Sequence, residues 1–279
     1  MSTKSGWCVM SPWNAETGLL GSPLLYGLAP EAVADFLAIA ERRVYAAGDR
    51  LFHEGECPEG VFVLASGKVK VTRPGPDGKD IIFTMAGAGN LLGELAVFDG
   101  GVRHADATAV RETVAALVPI PRMREWLDRY PAASFRMMRL LAERVRRMND
   151  RLEDMAGVDV ATRVARALVE HTARFGRHTV DGVRLRLDLS QDELAHHVRA
   201  SRERVNQVLV EFARRGWIRR DGEEFVVLDA DGLTRRARYR PETAQRRPSV
   251  PERARGRRPG HEVPGSRKPE TSRGLSSSP

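Results

Sequence analysis

Leu189-Ser190-Gln191-Asp192-Glu193-Leu194-Ala195, then Ala200-Ser201-Arg202-Glu203-Arg204-Val205-Asn206-Gln207, ending at Trp217-Ile218, is the stretch on which the reading of this chain turns. Ser190 is a strong N-cap and Glu193, three residues on, completes a capping box; a helix is expected through Leu194, Ala195 and Val198. Ser201 is a second N-cap, before a helix from Arg202 to Arg214. Along it Val205, Val208, Leu209 and Phe212 recur at i, i+3, i+4 and i+7, making one apolar face. Arg202, Glu203, Asn206 and Gln207 fall largely off that face, and their side chains match base edges in a major groove. A lone amphipathic helix with a solvated polar face has the same pattern. The second cap, the tight turn and the following strand pair favour a helix-turn-helix. Candidate DNA contacts are Ser190, Gln191, Ser201, Arg202, Glu203, Asn206 and Gln207, with Arg219 on the following hairpin.

Around this core the pattern continues. After Gly216, Trp217-Ile218-Arg219-Arg220, Asp221-Gly222 and Phe225-Val226-Val227 form a hairpin, the wing. Upstream, Arg177 to Leu187 reads as a strand, and Asp159 caps a helix from Val160 to about Arg174. Gly157-Val158 ends a long helix that Pro131 opens. Its Met138, Leu141, Val145, Met148, Leu152 and Met155 are spaced 3, 4, 3, 4, 3, a heptad seam that points to a coiled-coil homodimer. A helix packed on its own domain is the other reading of that seam.

Further back the period changes to strands. Val44-Tyr45, Arg50-Phe52, Val61–Ala65, Lys68–Thr72, Ile81–Thr84, Asp106–Val110 and Thr113–Val118 are short Val/Ile/Thr/Phe-rich runs. They are separated by turns at Ala47-Gly48-Asp49, Ser66-Gly67, Asp77-Gly78 and Gly87-Ala88-Gly89. Such strands make a sandwich or double-sheet roll able to enclose a small ligand. A helix, Pro30–Ile39, precedes them. Within the roll lies Gly93-Glu94-Leu95-Ala96-Val97-Phe98, with Arg103 and His104 after it. A helical turn opened by Gly93, a carboxylate at its start and a guanidinium nine residues on would suit an anion with hydroxyls beside it. The same residues would equally make a buried Glu–Arg structural pair.

Charge is unevenly spread. The 279 residues hold 45 basic and 37 acidic side chains, net +8; residues 240–279 hold 10 and 4, net +6, leaving +2 for the rest. The basic character is thus mostly a property of a Pro/Arg/Gly/Ser tail, expected to be disordered, and the argument for nucleic acid rests on local placement of Arg. Cys8 and Cys57 are too few for a disulfide framework, a four-thiolate cluster or an all-cysteine zinc site, and no metal site is expected. Neither a membrane span nor a signal peptide is read, so a cytoplasmic location is expected. No nucleophile–base constellation is present, so no enzyme is expected.

Gly-Glu-Leu-Ala-x-Phe followed by Arg103, the long helix, and Ser201-Arg202-Glu203-x-Val205, in this order, resemble the Crp/Fnr family of bacterial transcription regulators over roughly residues 23–230. The resemblance implies an α+β chain: an N-terminal double-sheet β-roll (jelly-roll-like), a long dimerisation helix and a C-terminal winged helix-turn-helix. The boundaries follow as a disordered 1–22, a cyclic-nucleotide-binding-like roll 23–130, the dimerisation helix 131–156, the DNA-binding domain 157–232 and a basic tail 233–279. It implies a ligand-responsive regulator that binds palindromic operators as a homodimer, with a small-molecule effector, cyclic AMP or another cyclic nucleotide, and RNA polymerase as partner. Gly93, Glu94, Leu95, Ala96, Arg103, His104, Met148 and Asn149 would line the ligand site, Glu94 on the ribose and Arg103 on the cyclic phosphate. Three positions depart from the cyclic-AMP pattern: His104 stands where a Ser or Thr is usual, and Met148 and Asn149 stand where small hydroxyl residues read the purine. The turn before Ser201 carries Arg199 where many members have Gly. An adaptor or regulatory subunit whose winged helix binds protein is the rival reading.

Overall fold

The computed structural model describes residues 17–239 apart from Pro76, Asp77 and Lys79; for Thr17, Arg151 and residues 153–156 it describes the backbone alone. Cys8, the start of the Asp77-Gly78 turn, the Met155 side chain and the tail from 240 therefore lie outside the described residues. In chain order the elements of the first half are α1 (Thr17–Leu20), α2 (Pro30–Ile39), β1 (Glu41–Tyr45), β2 (Arg50–Phe52), β3 (Gly60–Ser66), β4 (Lys68–Pro74), β5 (Asp80–Gly87), β6 (Leu91–Leu92), α3 (Leu95–Asp99), β7 (Asp106–Ala109), β8 (Thr113–Pro119) and α4 (Ile120–Arg129). The second half holds α5 (Pro131–Gly157), α6 (Val160–Phe175), β9 (Arg177–Thr179), β10 (Gly182–Arg186), α7 (Gln191–His197), α8 (Arg202–Arg214), β11 (Ile218–Asp221), β12 (Glu224–Val227) and α9 (Ala230–Ala237).

Two antiparallel sheets, ordered β1-β8-β3-β6 and β2-β7-β4-β5, make the roll. The unbroken apolar runs of β3 and β8 have a simple cause: both strands are buried on both faces. Phe62, Leu64, Ala115 and Leu117 face the other sheet with Leu51, Phe52, Val69 and Ala107. Val61, Val63, Ala116 and Val118 instead face a helical layer containing Phe36, Met123, Trp126, Ala133 and Met137. Trp126 anchors that layer, edge-on to Phe36 at 5.0 Å and with its indole N–H donated to Ala32 O at 2.9 Å.

Several boundaries differ from the sequence reading. From Thr17 to Ser22 the chain is not a loose terminus: Leu19 and Ser22 are fully buried, and Ser22 Oγ donates to Gly89 O at 2.8 Å. α1 packs against β3, where a Cβ on Gly18 would lie 2.2 Å from Ala65 O. α4 and the two-residue β6 were not anticipated. The C-terminal boundary moves too, because α9 buries Leu233 and Ala237 against the helix-turn-helix core and Arg236 forks onto Asp159, the α6 N-cap, at 2.7 and 2.8 Å. Residues 233–237 thus belong to the folded domain and not to the tail.

The first turns of α5 pack on the roll through Ala133, Met137 and Leu140. The heptad positions point elsewhere: Met138, Val145, Met148 and Leu152 are 56–61% exposed, and Leu141 is half-buried. The third sheet, β11-β12-β10-β9, carries the wing and closes over α6, α7 and α8. β9 pairs with β10, so Arg177 to Leu187, read as one strand, is a hairpin.

Roll and winged helix are joined by buried charge. Lys68 on β4 is fully buried, and its ammonium donates to Arg186 O (3.1 Å), Leu187 O (2.8 Å) and the Asp188 carboxylate (2.9 Å), 4.2 Å from the Phe175 ring. Burial pushes that ammonium's pKa down, against the pull of Asp188. Burial also raises Asp188, but Lys68 and Arg111 outweigh it and hold its carboxyl below the ordinary range. Lys70 pairs with Glu193, the capping-box carboxylate of α7.

Candidate functional site

Between the second sheet, α3 and α5 lies a cavity of about 370 Å³. Gly93 opens the turn that forms its floor at φ +75°, where a Cβ would sit 2.1 Å from Arg103 Nη1. Arg103 is buried, donating to Gly93 O at 3.0 Å and Gly60 O at 2.6 Å, with its guanidinium 4.3 Å over the Phe52 ring. Glu94 is buried as well. Its partner is not Arg103 but Arg144 on α5, which pairs with Oε1 and donates to Leu91 O at 3.1 Å. Glu94 Oε2 is buried without a hydrogen-bond partner among the described residues. The Glu94–Arg103 structural pair is therefore not formed, and the cavity holds an acceptor in need of a donor.

Gly93, Glu94, Leu95, Ala96, Arg103, His104 and Met148 all line this cavity. Asn149 does not: it is exposed, and α5 presents Leu140, Leu141, Arg144, Arg147 and Met148 to the space. His104 is exposed, 3.5 Å from Asp99, whose carboxyl the Gly101 N–H and His104 hold below the ordinary range. α3 has five residues and no side-chain cap, so the anion-binding capacity expected of its start rests on Arg103 and its neighbours. Sequence reasoning missed Arg144, Arg147 and Arg174. Only Arg144 carried a local signal, in step with Met137 and Leu140 on the packed face of α5.

The helix-turn-helix is built from its caps. Glu193 N–H donates to Ser190 Oγ (3.1 Å) and Ser190 N–H to Glu193 Oε2 (2.8 Å); Ser201 Oγ accepts from Arg204 N–H at 3.2 Å. The turn between the helices requires a left-handed residue, and Arg199 adopts it at φ +49°. Arg163 of α6 braces this turn, donating to Val198 O (2.8 Å) and Arg199 O (3.2 Å). α8 buries Val205, Val208 and Phe212 and exposes Ser201, Arg202, Glu203, Asn206 and Gln207. Arg202 leans back to α7, donating to Gln191 Oε1 at 3.1 Å and lying 3.5 Å from Asp192, and is thus oriented by α7. Gln207 Oε1 accepts from Arg204 at 2.9 Å. Arg219 pairs with Asp181 at 2.7 Å on the wing.

Among the described residues no group of three His, Cys, Asp or Glu side chains could hold a metal ion, and no helix is long and apolar enough to cross a membrane. Residues 42–130 match the cyclic nucleotide-binding domain model and residues 162–236 the Crp-like helix-turn-helix domain model. A CRP-like cAMP-activated global transcriptional regulator of Mycobacterium tuberculosis is 38% identical over 215 residues, 77% of this chain and 96% of that one. The cyclic AMP receptor protein of Thermus thermophilus is 32% identical over 71% of this chain and 89% of its own. A solved CRP/FNR-family transcriptional regulator from Thermus thermophilus superposes with a TM-score of 0.58 at 26% identity, covering 72% of this chain and all of that one. A double-sheet roll with a cavity beside it, a long helix with an exposed heptad face and a winged helix-turn-helix, matched in this order over most of the chain, make it a member of the Crp/Fnr family of ligand-responsive, DNA-binding transcription regulators.

Proposed function

We propose that the chain works as a cytoplasmic homodimer that binds a cyclic nucleotide in the roll and reads a near-palindromic operator with paired α8 helices, RNA polymerase being its partner. Glu94 carries the effector assignment. A buried carboxylate with one oxygen on Arg144 and the other unsatisfied is costly unless a donor arrives, and a ribose hydroxyl is such a donor. Arg103 spends two of its five N–H donors on backbone carbonyls, which leaves donors for a cyclic phosphate. The cavity volume lies at the small end of ligand sites, in keeping with a mononucleotide. Relatives described as cAMP-activated make cyclic AMP the first ligand to try.

Dimerisation is supported by the exposed seam on α5, a row of apolar side chains for which the described residues supply no cover. Two-fold symmetry would then set two half-sites about 34 Å apart. Calorimetry against a panel of cyclic nucleotides, with DNA binding measured over a salt series, tests the whole reading. Heat with at least one cyclic nucleotide and a steep salt slope are expected. An inert panel removes the effector assignment; salt-insensitive binding, or none, favours the rival in which the winged helix binds protein.

A further inference from the structure

One wall of the cavity belongs to the DNA-reading half. Arg174 sits in the last turn of α6, yet it lines the cavity with the roll and α5. Its Nη2 donates to Asn90 Oδ1 at 2.7 Å and its Nη1 to Glu170 at 3.2 Å. Asn90 is itself a wall residue, and the same Oδ1 accepts from Gly87 N–H at 2.9 Å, which ties the turn between β5 and β6. Phe175, the next residue, packs so closely on Gly87 that a Cβ there would lie 2.6 Å from the ring. Against the same ring lies Lys68, the ammonium that holds Asp188 and the carbonyls leading into α7. Two consecutive residues thus touch the ligand space and the joint between the domains.

The charge balance of the wall points the same way. Arg103, Arg144, Arg147 and Arg174 face one carboxylate, Glu94, so with His104 neutral the wall carries net +3. A phosphate draws guanidinium donors more strongly than a neutral amide oxygen does.

We propose that Arg174 is an effector-contacting residue supplied by the DNA-binding domain: the anionic group of a nucleotide in the roll competes with Asn90 for its guanidinium and so couples occupancy to the placement of α7 and α8. The inference rests on the nucleotide reading of the cavity. It supplies what a ligand needs to shift a domain equilibrium, a contact made in one placement and absent in the other. Linkage makes the coupling reciprocal, so DNA must change nucleotide affinity by the same factor.

The test uses the full chain, cyclic AMP as probe and a DNA site selected from a random pool. Operator affinity is measured with and without cyclic AMP, and cyclic AMP affinity with and without DNA. In the parent the two ratios should agree, at about 5–150-fold. Arg174→Gln should bring both towards 1 while cyclic AMP still binds through Arg103; Arg174→Lys, which keeps a cation, should recover part of the coupling. In the unaltered protein cyclic AMP should also change hydrogen exchange over residues 172–190, a readout that needs no variant to fold. Parental coupling in Arg174→Gln, or protection confined to the roll, overturns the inference and leaves the nucleotide reading standing. A parent that binds no cyclic nucleotide overturns both.

Discussion

The cavity and the recognition helix both depend on arginine, and they use it in opposite ways. In the cavity, Arg103 is 3% exposed, fixed by two backbone carbonyls and stacked on Phe52, and Glu94 beside it is 1% exposed. On α8, Arg202 is exposed and held by Gln191 and Asp192, two exchangeable surface partners. Buried charge is expensive to leave unpaired, so Arg103 and Glu94 each keep a partner in the folded roll, and Glu94 Oε2 is left for a ligand. Exposed charge costs little in the free protein, and its value appears only when a partner removes water from it. Substitutions in the cavity should therefore change stability and ligand binding together, whereas substitutions on α8 and on the outer face of α5 should change binding alone.

The largest effect that would sharpen this contrast is expected from Val145→Asp with Leu152→Asp. Both side chains point outward, so the single-chain fold should persist by circular dichroism while light scattering reports a monomer. Loss of the second half-site should lower operator affinity by at least about 10²-fold. A double variant that remains a dimer places the interface elsewhere. Next in size is Arg103→Ala. Removing a buried partner costs about 2–5 kcal/mol, enough for more than a tenfold loss of nucleotide affinity. The melting temperature should fall with it, because Gly60 O and Gly93 O lose their donor. Unchanged melting would break the comparison at its root.

Arg202→Ala should cost about 1–3 kcal/mol of operator binding and relax preference at one symmetric guanine pair, with stability within about 0.5 kcal/mol of the parent. Selection on randomised DNA separates the outcomes; a uniform loss with an unchanged preferred sequence would make Arg202 a phosphate clamp. The smallest effect concerns the joint. Asp188 faces Lys68, Arg111 and Arg186, and its folded pKa is depressed. Its contribution is thus present above the unfolded value and is lost as pH falls through the folded one, in the region from about pH 4 downward. Denaturant unfolding at stepped pH should show a slope there that Asp188→Asn flattens.

How far the sequence could be read followed the range of the interactions. Ser190, Glu193 and Ser201 act within three residues of themselves, so both helices and the direction of their apolar faces were legible. Arg199 was not decidable from the chain alone: a non-glycine residue at φ +49° depends on Arg163, 36 residues away, holding its carbonyl. α9 was lost among the arginines of the tail, although Leu233 and Ala237 pack at helical spacing.

The order roll, long helix, winged helix-turn-helix, the positions of Glu94 and Arg103, and the apolar seam of α5 were determined by sequence alone, because strand runs, caps and heptads are short-range patterns. Which charge meets which was decided only by the tertiary structure. Glu94 pairs with Arg144, fifty residues on, and not with Arg103; Asn149 turns away from the cavity while Arg174 enters its wall; and Lys68 is buried against the strand end that leads into α7. The reason is physical. A charge is buried where the folded backbone offers it partners, and those partners are brought together by sheet register and helix packing, which no local spacing records.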